Sequence, residues 1–429
     1  MSQGIQVDES ETEGISAAAR ADALERFLQF VEWRSLQDQL AQHAESGAGR
    51  SAARRLLPAL EPERVIAFQE ASAEAGALLA AGALAKLEGL NDLPEVFERR
   101  QREDRVFDSR ELRGISATIR AGSVARLAYA GSPRLGSLCA QPSAAMEGEA
   151  LLADRIEGAI GPFGQFRDEA SQRLRDLRRL LSNQGAILNA GLAQLCRDGS
   201  VVLALLEQRP VMREGCPCLL VRASELHRVP GPILQREAER YYVQPNALAA
   251  DYNALRDLLV AERGECVRIT AELSGAALAR DDSLLDLARG LIQADLHQAM
   301  ARLARAGDFW PVPRAAPAGP RLHLEGARQP LLRADESCVP ISLELPLSQR
   351  LLLISGPNGG GKTAAMKTLA LCAVLTQCGA AAPVVGGALP IFTGFVAVAD
   401  SQSSVGEGIS TFQAHARDLA RALAATGPG

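Results

Sequence analysis

Eight residues, Gly356-Pro357-Asn358-Gly359-Gly360-Gly361-Lys362-Thr363, constrain this chain more than any other stretch because of what flanks them. Upstream, the apolar run Leu351-Leu352-Leu353-Ile354 reads as a parallel strand buried on both faces. Downstream, Ala364 to Leu375 reads as a helix ended by Gly379. Strand, glycine turn and helix in that order form the βα unit of a phosphate-binding loop. Glycines let successive backbone N–H groups turn inward on phosphate oxygens without a Cβ in the way, and the helix N-terminus adds partial positive charge. In such a loop Lys362 reaches the β and γ phosphates of a nucleotide, and Thr363 holds the bridging Mg2+ ion.

A chain with 38 glycines could match so short a pattern by chance. Its basic residues argue otherwise: only Lys86, Lys362 and Lys367 are lysines among 46 Lys and Arg. A chain that uses arginine almost everywhere keeps a lysine here. Arginine's planar fork is too bulky to thread the loop as an ammonium does.

The 429 residues suggest roughly three domains and can bury a substantial core. Eight cysteines are scattered, with only Cys216 and Cys218 close, and no second pair or histidine stands at zinc-finger spacing. They read as free thiols in a reducing compartment. Met1 to Gly14 is acidic and polar, and no apolar run approaches the roughly 18 residues of a membrane span. A soluble, cytoplasmic protein without a membrane partner is expected. The net charge is −5, so any nucleic-acid contact must come from local patches or from encirclement. The clusters Arg99-Arg100-Arg102-Arg105 and Arg173-Arg175-Arg178-Arg179 read as solvated helix faces.

Periodicity divides the chain. Residues 1–20 read as a tail without order, and 21–135 as a helical core whose first stripe is Leu24, Phe27, Leu28, Val31 and Leu36. Glycine, proline and serine between Gly131 and Gly148 mark a break. A helical arm over 136–200 follows, with Leu174, Leu177, Leu181, Leu188 and Leu195 near heptad spacing. In 201–245 the period changes, and Val201 to Leu205, Cys218 to Val221 and Tyr241 to Val243 read as short strands. Helical text returns over 246–310 with Leu255, Leu258, Cys266, Ile269 and Leu273. A small β module is thus expected at the tip of a helical hairpin. Pro311, Pro313, Pro317 and Pro320 lead into 311–429, the segment that holds the glycine loop.

The segment Leu352 to Leu423 resembles the ATPase domain of the MutS family, most closely the MutS-two branch. Beyond Gly356-Pro357-Asn358 its markers are Leu389-Pro390-Ile391-Phe392, Asp400-Ser401-Gln402-Ser403, and Ser410-Thr411-Phe412 followed by His415. Ala327-Arg328-Gln329-Pro330-Leu331-Leu332, Val229-Pro230-Gly231 and Pro245 to Asn253 carry weaker likenesses upstream. The resemblance implies a multidomain fold: a mostly α-helical core and lever arms with a small β clamp insertion, followed by an incomplete α/β P-loop ATPase domain of ABC type. It implies ATP and Mg2+ as ligands, with Asn358 on the terminal phosphates. It also implies a homodimer in which Ser410 and Thr411 close over the ATP of the other subunit; the same residues can serve as N-caps of the helix that follows.

Gln329 stands where the family has histidine, and Ser401 where it has an acidic residue. The text after Ala424 carries no apolar strand closing in Asp-Glu, the pair that holds magnesium and polarises the attacking water. A fragment without that strand or a nuclease module is expected, one that binds nucleotide better than it hydrolyses it and holds no catalytic residue of its own. The resemblance implies DNA that is branched or mismatched as partner, in repair and suppression of recombination. The ribosome is the alternative partner, gripped and split when stalled, and a non-catalytic structural fragment with a vestigial ATPase fold is the third reading. Phosphate contacts are expected from Arg209, Arg213, Arg222, Arg228, Arg236 and Arg240, with Tyr241 and Tyr242 as stacking groups. Phe30-Val31-Glu32 spells the Phe-x-Glu of a mismatch-probing wedge, yet Phe30 belongs to an amphipathic helix and reads as packing.

Overall fold

A computed structural model describes residues 17–213, 215–313, 322–331, 338–346, 348–357 and 359–398. The helices before the tip are α1 (Ala17–Phe30), α2 (Trp33–His43), α3 (Gly47–Arg54), α4 (Pro62–Ala80), α5 (Leu93–Glu103), α6 (Ser109–Ala128), α7 (Pro133–Leu138), α8 (Ser143–Ala159), α9 (Gln172–Leu195) and the short α10 (Gly199–Val202). Strands β1 (Val211–Arg213), β2 (Cys216–Arg222), β3 (Ile233–Glu237) and β4 (Arg240–Val243) make the tip. Two long helices, α11 (Ala249–Leu278) and α12 (Asp281–Gly307), precede β5 (Leu322–Ala327), β6 (Ile341–Leu345), α13 (Lys362–Gln377) and β7 (Gly386–Ala388). The chain divides into two compact units: Met1–Pro94, Ala117–Pro142 and Leu285–Gly429 form one, Glu95–Ser116 and Ser143–Leu284 the other.

In the first unit the expected stripe of α1 and α2 is buried: Phe27, Leu28, Val31 and Leu36 join Leu371 to Leu375 of α13 and Leu324 of β5 in one core. A buried Asp295 on α12 organises the turn into α3, accepting from Glu45 N, Ser46 N and Ser46 Oγ at 3.0, 2.9 and 2.6 Å. Ser46 Oγ in turn caps α3 by accepting from Gly49 N at 2.8 Å. Three strands pair antiparallel in the order β6-β5-β7, with His323 opposite both Glu344 and Ala388.

In the second unit α9 and α11 run antiparallel. Ser171 bonds Glu265, Arg178 bonds Glu262 and Gln184 bonds Asp251, so residues ascending on one helix meet residues descending on the other. Leu174, Leu188 and Leu192 are buried along the seam. The four strands pair antiparallel in the order β1-β2-β4-β3 and close on the helices through Leu219, Val221 and Val243.

Three expectations need correction. Val201 to Leu205 is not a strand: Asp198 Oδ1 accepts from Ser200 N at 2.8 Å and caps the one-turn α10, leaving only an isolated bridge from Leu205 to Val221. The arm over 136–200 is broken between α8 and α9, where Gly161-Pro162-Phe163-Gly164 turns with a Gly164 N to Gly161 O bond of 3.0 Å. Leu351 to Ile354 forms no strand and is unpaired among the described residues, with Leu351 80% and Leu353 83% exposed. An apolar run becomes a buried strand only where neighbours accept its backbone hydrogen bonds, and among the described residues none does.

Candidate nucleotide site and tip surface

The glycine loop closes onto α13 in the first unit. Pro357 O accepts from Gly360 N at 3.1 Å, making a tight turn. Gly359 and Gly361 sit at φ +81° and +80°, a left-handed backbone that side-chain-bearing residues rarely adopt. Gly361 is also the N-cap of α13 and offers no side-chain cap. Ala365 N bonds Gly361 O at 2.8 Å as the helix begins, and the amides ahead of it face outward by helix geometry. Lys362 Nζ donates to Gly356 O and Pro357 O, both at 2.7 Å, so its ammonium lies across the loop. The Thr363 side chain is exposed at the same end.

An ammonium, outward-facing amides and a hydroxyl on one helix end are donors and a cation ligand suited to a nucleotide phosphate with Mg2+. Asn358, Ser401, Ser410 and Thr411 lie outside the described residues. Gln329 is buried, and its Oε1 has no hydrogen-bond partner among the described residues.

The far end of α13 is anchored by groups that the sequence did not single out. Gln377 Nε2 donates to Ala59 O at 2.6 Å and Phe392 O at 3.0 Å, and its Oε1 accepts from Phe392 N at 2.8 Å. The helix stops as the sequence predicts: Gly379 N bonds Thr376 O at 3.1 Å and Ala380 N bonds Leu375 O at 2.9 Å, with Gly379 at φ +78°.

The tip belongs to the second unit. On the outer face of its sheet Arg213 is held by Gln235 and Glu237, with its guanidinium 4.7 Å from the centroid of Tyr242. Arg209 pairs with Glu207 at 2.9 Å and Arg228 with Glu225 at 2.6 Å, the latter contact lowering the Glu225 pKa. Arg222 and Arg240 differ. They lie directly opposite each other across β2 and β4, both exposed, and no carboxylate is within ion-pair distance among the described residues. Arg236 is exposed beside Tyr241, 5.7 Å from its ring centroid, while Tyr241 itself packs on the core of the tip. The six arginines therefore separate into three held in ion pairs and three with no ion pair among the described residues.

Cys218 is fully buried and its thiol is pushed up to about 11 by burial. Among the described residues no group of three or more His, Cys, Asp or Glu could hold a metal ion, and no helix is long and apolar enough to cross a membrane.

The chain is similar to proteins described as endonuclease MutS2. Identity is 28% over 404 residues with that of Pelotomaculum thermopropionicum, 29% over 413 with that of Thermomicrobium roseum, and 30% over 408 with that of Symbiobacterium thermophilum. The alignments cover 94%, 92% and 93% of this chain and 51%, 51% and 50% of the relatives. The chain thus spans about half the length of the curated relatives it matches. No protein-family model matches it.

Proposed function

We propose, from the premise that the chain is MutS2-like over about nine-tenths of its length, that it binds ATP with Mg2+ through residues Gly356 to Thr363 and acts as a nucleotide-gated clamp on DNA. One observation carries the nucleotide half: a lysine ammonium and the start of α13 converge on a left-handed glycine turn. Lys362 neutralises the terminal phosphates, the loop amides hold them, and Thr363 supplies a hydroxyl to Mg2+. ATP with its metal ion supplies the phosphoanhydride whose binding, and in the whole protein hydrolysis, drives the arms. Ser410 and Thr411 from a second copy complete the site, so the working form is a homodimer in the cytoplasm.

The tip carries the DNA half. Arg222, Arg236 and Arg240 meet phosphates, the contacts that read shape rather than base sequence, and branched or mismatched DNA presents such shapes. Repair and suppression of recombination are the processes such a clamp serves.

The nucleotide reading is tested by thermal unfolding. A ligand that binds only the folded state raises Tm, by about 2.7 kcal/mol of stabilisation at a hundredfold excess over Kd. Mg2+ with ATP raises Tm in the parent and leaves Lys362→Ala unmoved; equal shifts in both overturn the reading. For the clamp, gel shifts on four-way DNA junctions are set against co-sedimentation with stalled ribosomes. Binding to ribosomes alone overturns DNA as the substrate.

A further inference from the structure

Phe30, Glu32 and Lys367 meet within the first unit, where Phe30 also packs as a partly buried ring against the core. Lys367 stands on α13, five residues beyond Lys362. Its ammonium donates to Glu32 Oε1 at 2.5 Å and lies 5.5 Å from the centroid of the Phe30 ring. Glu32 forms the corner between α1 and α2 at φ +59°, a left-handed backbone unfavourable for a residue with a Cβ. Both arms of the Phe-x-Glu sequence thus grip one of only three lysines in the chain.

The grip falls one residue before α13 enters the core. Burial of the helix begins at Thr368 and is complete from Leu371 to Gln377, whereas Thr363 and Met366 are exposed. Among the described residues, Lys367 makes the one side-chain hydrogen bond from the first two turns of α13 to another element; Lys362 bonds its own loop and Thr368 its own helix. The phosphate end therefore projects about 9 Å ahead of the buried part, at 1.5 Å per residue. A rod gripped along one end and tethered at the mouth of that grip can swing when the tether is cut, and amide donors weaken steeply with misdirection.

We propose that the corner Phe30-Val31-Glu32 is a latch on the nucleotide helix, with Lys367 the positioning residue through which the loop amides are held on a phosphate. The proposal rests on the nucleotide reading above. An exposed ion pair and a cation–π contact are each modest. Loosening the latch therefore weakens nucleotide binding three- to tenfold, tenfold being about 1.4 kcal/mol.

The test is titration of a fluorescent ATP analogue with Mg2+ into the parent chain, Lys362→Ala, Lys367→Met, Glu32→Gln, Glu32→Gly and the swap Glu32→Lys with Lys367→Glu. Unfolding temperature without nucleotide is measured on each. The expected result is a three- to tenfold larger Kd in the Lys367 and Glu32 single variants, with the swap, which restores the ion pair but not the Phe30 contact, binding more tightly than either single variant. Glu32→Gly relieves the left-handed backbone, so its Tm stays level or rises while its affinity falls, which a purely structural contact would not produce. If Lys367 acted only as a charge near the phosphates, Glu32→Gln would bind as well as the parent or better, and that result overturns the latch. So does a swap as weak as the single variants. Both failures leave the nucleotide reading standing provided Lys362→Ala abolishes binding; a parent chain that takes up no nucleotide ends both.

Discussion

Gln377 fixes the far end of α13 to two separate segments, making three side-chain hydrogen bonds while only 1% exposed. Its main-chain O also accepts from Ala59 N at 3.1 Å. Gln377→Leu keeps the volume but strands Ala59 O and both backbone groups of Phe392, and each stranded buried group costs about 1–3 kcal/mol. A loss of about 2–4 kcal/mol in urea unfolding is expected, against less than about 0.5 kcal/mol for Lys86→Gln on the surface; equal losses refute this account of Gln377. Gly379 was legible in advance because a helix that must stop needs a left-handed residue, and few besides glycine supply it. Gln377 was not. A glutamine in a helical stretch reads as a solvent-facing position until the fold brings carbonyls to it.

At the scale of elements, the antiparallel pair α9 and α11 was readable from leucine spacing, since heptad repeats specify a partner helix locally. The run Leu351 to Ile354 was misread because strand formation depends on a neighbour remote in sequence, which no local period reports. The hairpin also has a pH-sensitive joint. A hydrogen bond from Arg268 holds the buried Glu265 carboxyl down to about 2, against the opposing effect of burial and with help from Ser171 and Arg173. A carboxyl whose folded pKa is depressed stabilises the fold above its unfolded pKa, here from about pH 5 upward. That contribution drains away as pH falls from about 5 toward 2. Since Ser171 both bonds Glu265 at 2.8 Å and caps α9 by accepting from Leu174 N at 3.0 Å, acid loosens the start of the arm. Urea midpoints at pH 6 and pH 3 should differ less in Glu265→Gln than in the parent; an undiminished difference refutes the assignment.

For the whole molecule, a net charge of −5 sets the terms of any encounter with DNA: the long-range field does not attract it, so association depends on a few local cations. The glycine turn and the helix start at Lys362 were legible, because turns and helix starts are local, whereas the strand expected ahead of them is not formed. Which tip arginines are ion-paired was not legible, because the pairs depend on carboxylates that only the folded tip brings near, as Glu237 comes to Arg213 although β1 and β3 are not neighbours in the sheet. This difference yields the last prediction. Each phosphate contact on duplex DNA contributes roughly 0.9 to the slope of log Kd against log salt. Arg222 and Arg240 stand opposite each other and form no ion pair among the described residues, with Glu237 flanking Arg240 across β3 and β4, so Arg222→Gln with Arg240→Gln lowers the slope by roughly 2. Arg209→Gln and Arg228→Gln free Glu207 and Glu225 as they remove cations that were already matched, and each changes the slope by less than about 0.5. Binding isotherms on one junction at four salt concentrations decide between the groups. If the paired arginines carry the salt dependence and Arg222 and Arg240 do not, the DNA track lies elsewhere on the molecule and the opposed pair is surface alone.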